Sequence, residues 1–444
     1  MKFISDYIFK YYDLPARFFI KPWKDFYAKQ AVKLYVGALE AGDRADFREL
    51  ETLSYKRARR LLEYAGRNVP HWRSYKNAAW QSLPIISKSD YKADPESFLS
   101  RDPYFSSHRK SFNTSGSTGS PLNYFYEHYR YEIHHGGALL HALRNLKAPI
   151  EDRAVLTTFR AAFSGSFALF GVRYEDLDFV DMLPAQGILG SEKMRFSNFT
   201  TNLLMMDEEK RPILIMRPSQ AFLLAHWTVA NEIKLRLPFI LLVGENLSRD
   251  QRKFIENTFD CQVRMIYSSR ELSVMGYECP ANLGFIHLLP ESYFMEILDN
   301  GDLAVTSFVN LTMPFIRYRI GDKAEVKTAT GKCPCGVWRP LIKILGRDNH
   351  LIKLAGKSIS YSALEAYLYN NRADKIKQMQ CVQEAPDSFR VRLCRSASFN
   401  EADEQNMLAV FKNALGSTIK VRFEYLDFIE PGESGKFITF RSLI

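Results

Sequence analysis

A short loop rich in glycine and hydroxyl side chains offers the clearest chemistry in the sequence. The loop follows Asn113, ends at Pro121, and contains Thr114, Ser115, Gly116, Ser117, Thr118 and Gly119. Glycines let the backbone approach a ligand closely, and successive backbone N–H groups in such a loop form a concave site for anions. No Gly-Lys-Ser/Thr sequence follows, which argues against a P-loop NTPase. The loop fits either a phosphate site or an ordinary polar surface loop.

Four thiol and imidazole side chains suit a metal ion. Cys333 and Cys335 are separated by one residue, and Cys279 and His287 lie upstream. Such ligands fit a tetrahedral structural Zn²⁺ in a reducing compartment. The spacing matches no standard zinc finger, so four uncoordinated residues in surface hairpins are the alternative. With six cysteines in 444 residues, the chain is too cysteine-poor for a disulfide scaffold.

An alternation of helices and strands must position these residues. Residues 1–80 read as helical, with apolar periodicity over 31–39 and 55–64. Buried strands are predicted at 155–159, 213–216 and 239–243, with helices at 219–233 and 249–258. This alternation indicates parallel α/β units, whereas residues 303–326 look like strand hairpins.

The last hundred residues read as a small α+β domain. A polar break with turn-forming residues, Gly346-Arg347-Asp348-Asn349, predicts a domain boundary. Beyond it, strands are predicted at 352–354, 377–382, 389–393 and 420–425, and helices at 361–370 and 401–415.

Length and composition allow a multidomain globular protein. Hydrophobic residues make up 46% and charged residues 25% of the chain, which excludes a fibrous or wholly disordered protein. The net charge of +10 is modest for this length, and no nucleic-acid motif accompanies it. We expect a cytoplasmic protein, because neither a secretory signal nor a membrane-spanning stretch is evident.

The first residues mix bulky apolar and basic side chains. They fit an amphipathic helix on the inner face of an anionic membrane, or an ordinary helix packed on its own domain, which is the commoner case.

The glycine–hydroxyl loop and five further motifs resemble motifs of the adenylate-forming ligases and follow one another in the same order as in that family. The further motifs are Gly244-Glu245, the segment 267–271, the strand pair 301–306 and 313–322, Gly346-Arg347, and Gly435-Lys436. Residues 67–73 and 83–88 resemble the phenylacetate–CoA ligase branch and its CapK-like relatives in capsular polysaccharide gene clusters.

The resemblance implies an α/β fold with two domains. Residues 1–345 would form a large multilayer adenylation domain with a helical N-terminal segment, and residues 346–444 a small mobile α+β C-terminal domain. The implied activity is ATP-dependent formation of an acyl-AMP from a carboxylic acid. The acyl group then passes to CoA, another thiol or an amine, with a place in capsular or exopolysaccharide biosynthesis.

The resemblance also assigns roles to single residues. The loop residues 114–119 would hold the ATP phosphates, Glu271 would ligate Mg²⁺, and Lys436 would bridge the carboxylate and the α-phosphate in the transition state. Five others would contact the nucleotide: Gly244 and Glu245 through their backbone, Tyr267 by stacking on adenine, Asp322 at the ribose hydroxyls, and Arg347 beside the nucleotide. Ligands similar to the four cysteine and histidine residues also occur in the CapK-like branch, which favours the zinc interpretation.

Three positions depart from the family pattern. Leu122 stands where the family has a lysine after the loop proline, Ser268 replaces a glycine, and Arg270 replaces a threonine. Arg270 is a candidate to restore the lost positive charge near the phosphates. The alternative function is a catalytically drifted scaffold that binds a nucleotide or acyl ligand without turnover. His134 and His135 are predicted to form a pair on a helix surface, with the acyl pocket as the alternative location.

Overall fold

The computed structural model describes most of the chain. The described residues are 21–113, 122–151, 153, 155–157, 168–169, 172–176, 199–327, 332–347, 350–354, 357–432 and 436–444. They belong to two compact units, and each unit combines two stretches of chain. Unit 1 consists of the described parts of Met1–Lys147 and Ile266–Ile344, and unit 2 of those of Ala148–Met265 and Leu345–Ile444. The division into domains 1–345 and 346–444 stays a prediction.

Unit 1 begins with helices and continues into a large sheet. Its helices are α1 (Lys21–Gly42), α2 (Phe47–Asn68), α3 (Lys88–Ala93), α4 (Pro103–Ser107) and α5 (His128–Asn145). A hairpin of β1 (Arg109–Asn113) and β2 (Asn123–Glu127) precedes α5. Local signals explain the helix starts: the Asp46 carboxylate accepts from the Arg48 N–H before α2, and the Glu127 carboxylate accepts from the N–H groups of Tyr129 and Arg130 at α5.

The sheet of unit 1 has the strand order β11-β12-β13-β14-β10-β9-β8. The strands are β8 (Gln262–Ser269), β9 (Ser273–Cys279), β10 (Asn282–Leu288), β11 (Tyr293–Ile297), β12 (Asp302–Ser307), β13 (Tyr318–Val326) and β14 (Leu341–Arg347). The pairs β8–β9, β9–β10 and β10–β14 are antiparallel. The antiparallel pair of β12 and β13 confirms the hairpin prediction for 303–326.

Unit 2 contains the predicted parallel α/β units. Its first sheet has the order β7-β6-β3-β5-β4, formed by β3 (Val155–Thr157), β4 (Ala168–Leu169), β5 (Val172–Asp176), β6 (Ile213–Met216) and β7 (Phe239–Val243). The pairs β3–β5, β3–β6 and β6–β7 are parallel. Helix α6 (Pro218–Ala230) connects β6 to β7, and α7 (Arg249–Phe259) follows β7.

The rest of unit 2 matches the predicted α+β pattern. It comprises β15 (Leu351–Leu354), β16 (Lys357–Ser360), α8 (Tyr361–Tyr369), β17 (Ile376–Ala385), β18 (Ser388–Arg395), α9 (Glu401–Leu415), β19 (Lys420–Tyr425) and β20 (Phe440–Ser442). The strand order is β19-β18-β17-β20 in one sheet, and β15 and β16 form a separate hairpin. One apolar core joins both stretches of the unit, with Leu214, Ile240 and Ile255 in the same cluster as Leu364 and Phe411.

The predictions differ from the structure at a few element ends. Helix α6 ends at Ala230 rather than at residue 233, because Glu232 adopts a left-handed φ of 56°. Several strands were not predicted, among them β8 to β11 and β14 of unit 1. Strands β16 and β20 were also missed; they are four and three residues long, too short for a clear periodic signal. Among the described residues, no helix is both long and apolar enough to cross a bilayer.

Candidate functional site

The glycine–hydroxyl loop itself, Thr114 to Gly119, lies outside the described residues. The hairpin that carries it is described: β1 ends at Asn113, which pairs with Asn123 at the start of β2. Leu122, just after the loop, is buried with 1% of its surface exposed. An apolar side chain in this position supplies no charge to a phosphate.

Arg270 lies at the base of this hairpin. Its Nη1 atom donates to the Asn113 carbonyl at 3.3 Å, and its guanidinium lies 5.5 Å from the centre of the Phe112 ring. The hydroxyls of Tyr124 and Tyr131 both donate to the Arg270 carbonyl, at 2.7 and 2.6 Å. Both the backbone and the side chain of Arg270 are therefore held by hydrogen bonds. Its side-chain partner, Asn113, directly precedes the predicted phosphate loop.

Tyr267 and Asp322, the residues predicted to meet adenine and ribose, are in direct contact. The Tyr267 hydroxyl donates to Asp322 Oδ2 at 2.7 Å. Their strands, β8 and β13, are separated by three strands in the sheet order. Because neighbouring strands lie about 4.8 Å apart, the sheet must curve strongly for these side chains to meet. Burial of Asp322 at 5% exposure makes this hydrogen bond well shielded from water.

Glu271, the predicted Mg²⁺ ligand, is also buried in unit 1. Its Oε1 atom accepts from the Tyr318 hydroxyl at 3.1 Å. Sequence reasoning did not single out Tyr318, although it lies inside the recognised segment 313–322. Tyr318 is almost fully buried, and a buried tyrosine needs a partner for its hydroxyl, but the sequence alone does not reveal that partner. Tyr318 holds the carboxylate in a fixed orientation.

The histidine pair after the loop is not on a helix surface, which corrects that prediction. His134 is 2% exposed, and burial lowers its pKa well below the ordinary value. His135 Nδ1 lies 3.0 Å from Ser273 Oγ, and burial lowers the pKa of His135 to about 4. Helix α5 packs on β9, so side chains on that face are inside the unit. Burial therefore favours the neutral form of both rings.

Unit 2 brings the predicted lysine next to the predicted nucleotide-contacting backbone. Gly244 directly follows β7 and has a φ of +85°, a conformation that favours glycine. A Cβ atom added at Gly244 would lie 3.7 Å from Lys436 Cε and 3.8 Å from Lys436 Nζ. The two carboxylate oxygens of Glu245 accept from the Phe437 and Ser219 N–H groups, at 2.9 and 3.0 Å.

Arg347 ends β14 and is half-buried. The following residues Asp348 and Asn349, where the hinge is predicted, lie outside the described residues, as does Gly435.

The four predicted metal ligands come together in unit 1. Cys279 ends β9, His287 lies on β10, and Cys333 and Cys335 lie in the loop before β14. Their ligand atoms all lie within 4.8 Å of one another. The Cys279 and Cys333 sulfurs are 3.5 Å apart, and His287 Nε2 is 3.2 Å from Cys335 Sγ. Around a tetrahedral zinc ion with bonds of about 2.0–2.3 Å, ligand atoms lie roughly 3.3–3.8 Å apart, so the donor set fits.

The surroundings of the cluster favour a thiolate at Cys279. Asn282 Nδ2 donates to the Cys279 and Cys333 sulfurs, at 3.5 Å each. The hydrogen bond with Cys335 lowers the pKa of Cys279. The loop closes through the Gly336 N–H, which donates to the Cys333 carbonyl at 2.8 Å, and Gly336 has a φ of +102°.

A buried charge network lies close to this loop in sequence and was not predicted. Arg339 Nη1 donates to Glu291 Oε2 at 2.8 Å, and Arg339 Nε donates to Asp43 Oδ1. His141 Nε2 lies 2.8 Å from Asp43 Oδ2. Burial alone would raise the pKa of Asp43, but the His141 hydrogen bond and the Arg339 charge lower it to about 2. No local signal reveals the network, because Arg339 and Asp43 are almost 300 residues apart.

Comparison with solved structures confirms the fold. The chain superposes on 2-hydroxyisobutyryl-CoA ligase in the postadenylation state, in complex with R3-HIB-AMP, with a TM-score of 0.71 over 90% of each chain. The identity is 17%, so this likeness concerns the fold. Residues 351–441 match the family described as the CapK C-terminal domain. The chain therefore has the fold of this ligase, and its residues 351–441 are similar to the CapK C-terminal domain. The predicted α/β fold with a smaller C-terminal domain is therefore confirmed.

Two curated relatives resemble this chain. Protein CapK of Staphylococcus aureus is 26% identical over 224 residues, which are 48% of this chain and 49% of that protein. Indoleacetate–lysine synthetase of Pseudomonas savastanoi is 24% identical over 263 residues, which are 55% of this chain and 60% of that protein. The chain thus spans about half the length of the curated relatives it matches.

Proposed function

We propose that this chain is an ATP-dependent ligase that activates a carboxylic acid as its acyl-AMP. One contact carries the proposal: the Tyr267 hydroxyl donates to Asp322 Oδ2 at 2.7 Å. These are the two residues that the family resemblance assigns to adenine and ribose. Their strands are not neighbours in the sheet, so strand pairing alone does not bring these two side chains together.

The reaction proceeds in two steps. In the first, an oxygen of the acid attacks the α-phosphorus of ATP, the bond to the β-phosphate oxygen breaks, and pyrophosphate leaves. In the second, a thiol or amine attacks the acyl carbon, AMP leaves, and the acceptor loses a proton. Both steps handle concentrated negative charge, which preorganised positive groups and N–H donors stabilise.

The residues have separate tasks in this scheme. The Tyr267 ring stacks on adenine while its hydroxyl stays on Asp322. Glu271, oriented by Tyr318, provides the carboxylate for Mg²⁺, which when bound neutralises phosphate charge. Lys436 Nζ, beside Gly244, stabilises the charge that develops between the carboxylate and the α-phosphate.

The relatives guide the choice of substrates. Their names point to indoleacetic acid and 2-hydroxyisobutyric acid as acids, and to CoA and lysine as acceptors. We include an amino sugar as an acceptor, because the family resemblance seen in the sequence implies a role in capsular or exopolysaccharide biosynthesis. The proposed location is the cytoplasm, with contact to the inner membrane face assigned to residues 1–20, which lie outside the described residues.

Acid-dependent release of pyrophosphate from ATP tests the proposal directly. We expect release with at least one acid of a panel, and a loss of about 10²–10³-fold for Lys436→Ala. Lys420→Ala is the matched control, because Lys420 is an exposed lysine of the same unit that pairs with Asp387. Equal rates for the two variants would contradict the role of Lys436.

The second candidate is a nucleotide- or acyl-binding scaffold without turnover. Burial of Leu122 at the family's lysine position favours it. Pyrophosphate release with no acid of the panel, together with retained ATP binding, is the result that this candidate predicts.

Arg270 is the candidate to replace the lysine charge that is missing at Leu122. Its side chain lies on Phe112 and donates to Asn113, at the start of the predicted phosphate loop. We expect Arg270→Thr to weaken ATP binding about tenfold, because one charge-assisted phosphate contact is lost. Unchanged ATP affinity in isothermal titration would show that Arg270 does not replace the missing lysine.

We further propose that Cys279, His287, Cys333 and Cys335 hold one structural Zn²⁺. Zinc analysis of the purified protein should give about one ion per chain. Cys333→Ser and Cys335→Ser should each lose it, whereas Cys394→Ser, a buried cysteine of unit 2, should keep it. Equal zinc in all four proteins would disprove the assignment.

A further inference from the structure

Glu245 connects two elements of unit 2 through its side chain. Its Oε2 atom accepts from the Ser219 N–H at 3.0 Å, in the first turn of α6. The first N–H groups of a helix lack partners within the helix, and a carboxylate placed there is favoured by the helix dipole. The Glu245 carboxylate is therefore anchored on a rigid element that begins after a buried strand.

The other carboxylate oxygen holds the segment that carries the lysine. Oε1 accepts from the Phe437 N–H at 2.9 Å. The carbonyl of Lys436, in the same peptide unit, accepts from the Gly432 N–H at 2.9 Å. Both polar atoms of the Lys436–Phe437 peptide are thus bound, and its plane is fixed. The Lys436 side chain then runs past Gly244, the residue before Glu245.

We propose that Glu245 is a positioning residue for adenylation: its carboxylate holds the Lys436–Phe437 peptide against the start of α6 and so aims Lys436. This inference rests on the proposed function of Lys436. It gives the Glu245 side chain a task separate from the backbone contact that the family resemblance assigns to this position. The Ser219 and Phe437 N–H groups belong to different elements. A side chain that joins them must therefore offer two acceptor oxygens, as a carboxylate does.

The substitutions follow from that requirement. Glu245→Ala removes both acceptors, and Glu245→Gln turns one of them into an N–H donor facing another N–H group. For acid-dependent pyrophosphate release, we expect kcat to fall about 10–100-fold in both variants, which is the size of one or two lost charge-assisted hydrogen bonds. The KM for ATP should change less than about threefold, since the residue acts on the lysine in the transition state.

Ser248→Ala is the matched control. It removes the cap of the neighbouring helix α7, where Ser248 Oγ accepts from the Gln251 N–H at 3.2 Å. That contact involves no part of the lysine segment, so this variant should keep its kcat within about twofold. A comparable fall in kcat for Ser248→Ala would show that the Glu245 effect comes from a general loss of stability in unit 2, and would contradict the positioning role.

A double-mutant cycle and hydrogen exchange complete the test. In a Lys436→Ala background, Glu245→Ala should cause no further loss, because a residue that aims the lysine has nothing left to aim. Exchange of the Phe437 amide should speed up in Glu245→Ala and stay unchanged in Ser248→Ala. An equal loss of rate in both lysine backgrounds, or an unchanged Phe437 amide, would overturn the inference. If the wild type released no pyrophosphate with any acid, the proposed function would fail, and with it the role of Glu245 in adenylation. Exchange of the Phe437 amide would still test the hydrogen bond between Glu245 and Phe437 separately.

Discussion

Both units bury many apolar side chains, but they differ in the charged groups that they bury. Unit 1 buries a network of charges: Arg339 and Glu291 have no side-chain exposure, and Asp43 has 14%. The main apolar cluster of unit 2 extends from Phe199 to Phe440. Removing one partner of a buried charge pair leaves the other charge uncompensated and lowers the free energy of unfolding strongly. In an apolar core, the loss of free energy instead grows with the number of atoms removed. The two units should therefore respond differently to single substitutions and to pH.

The largest expected effect is the loss of Arg339. Arg339→Met leaves Glu291 and Asp43 buried without their cation, which should lower the free energy of unfolding of unit 1 by about 3–5 kcal/mol. Hydrogen exchange measured by mass spectrometry reads each unit separately and should show faster exchange in unit 1 peptides alone. The control is Lys343→Met: Lys343 pairs with Glu325 at 3.7 Å on the surface, where an ion pair contributes about 0–1 kcal/mol. Similar effects for the two variants would remove the contrast between buried and exposed charge.

Glu365 in unit 2 should give a gain of stability. Burial raises its pKa from 4.5 to about 8, and the nearby Glu245 charge adds to the rise, while the Thr439 hydroxyl bond opposes it. Between these two pKa values the folded state keeps a proton that the unfolded chain loses, so stability falls as pH rises. Glu365→Gln removes this penalty and should stabilise the protein by on the order of 2–4 kcal/mol at pH 8. Thermal unfolding should show little difference at pH 4.5, and a difference that does not grow with pH would contradict the buried neutral carboxyl.

Asp43 in unit 1 should behave in the opposite way. Its folded pKa of about 2 lies below the ordinary 3.8, so its contribution to stability is complete above pH 3.8 and is lost as pH falls through about 2. Asp43→Asn should cost about 2 kcal/mol at pH 6 and almost nothing near pH 2. Urea unfolding at both pH values measures this, and the same cost at each would show that charge is not the cause.

The smallest expected effect is a conservative change in the apolar core. Met379 is fully buried in unit 2, and Met379→Leu nearly keeps its volume. Such replacements cost less than about 1.5 kcal/mol. The comparable change in unit 1 is Arg339→Lys, which keeps the charge and loses the forked geometry that contacts Asp43 and Glu291. Denaturation of both variants should rank Arg339→Lys as clearly more damaging, and the reverse order would refute the comparison.

The sequence predicted the elements better than their contacts. Strands at 213–216 and 239–243 and the helix at 401–415 have the predicted limits, because their apolar patterns and turn residues are local. The cluster of Cys279, His287, Cys333 and Cys335 was predicted from residue types with known chemistry. The Tyr318 contact with Glu271 and the Glu245 contact with Phe437 depend on which strands and segments meet in space. No local pattern encodes those meetings.

The loop from Cys333 to Arg339 has a consequence for how the gene tolerates change. Surface loops generally accept insertions and deletions. This loop contributes two cluster ligands at its start and a buried guanidinium only four residues after Cys335. If one residue were added or removed between Cys335 and Arg339, the cysteine ligands and the Arg339 guanidinium could not both keep their positions. This short segment should therefore have a fixed length, even where the residues between its ends vary.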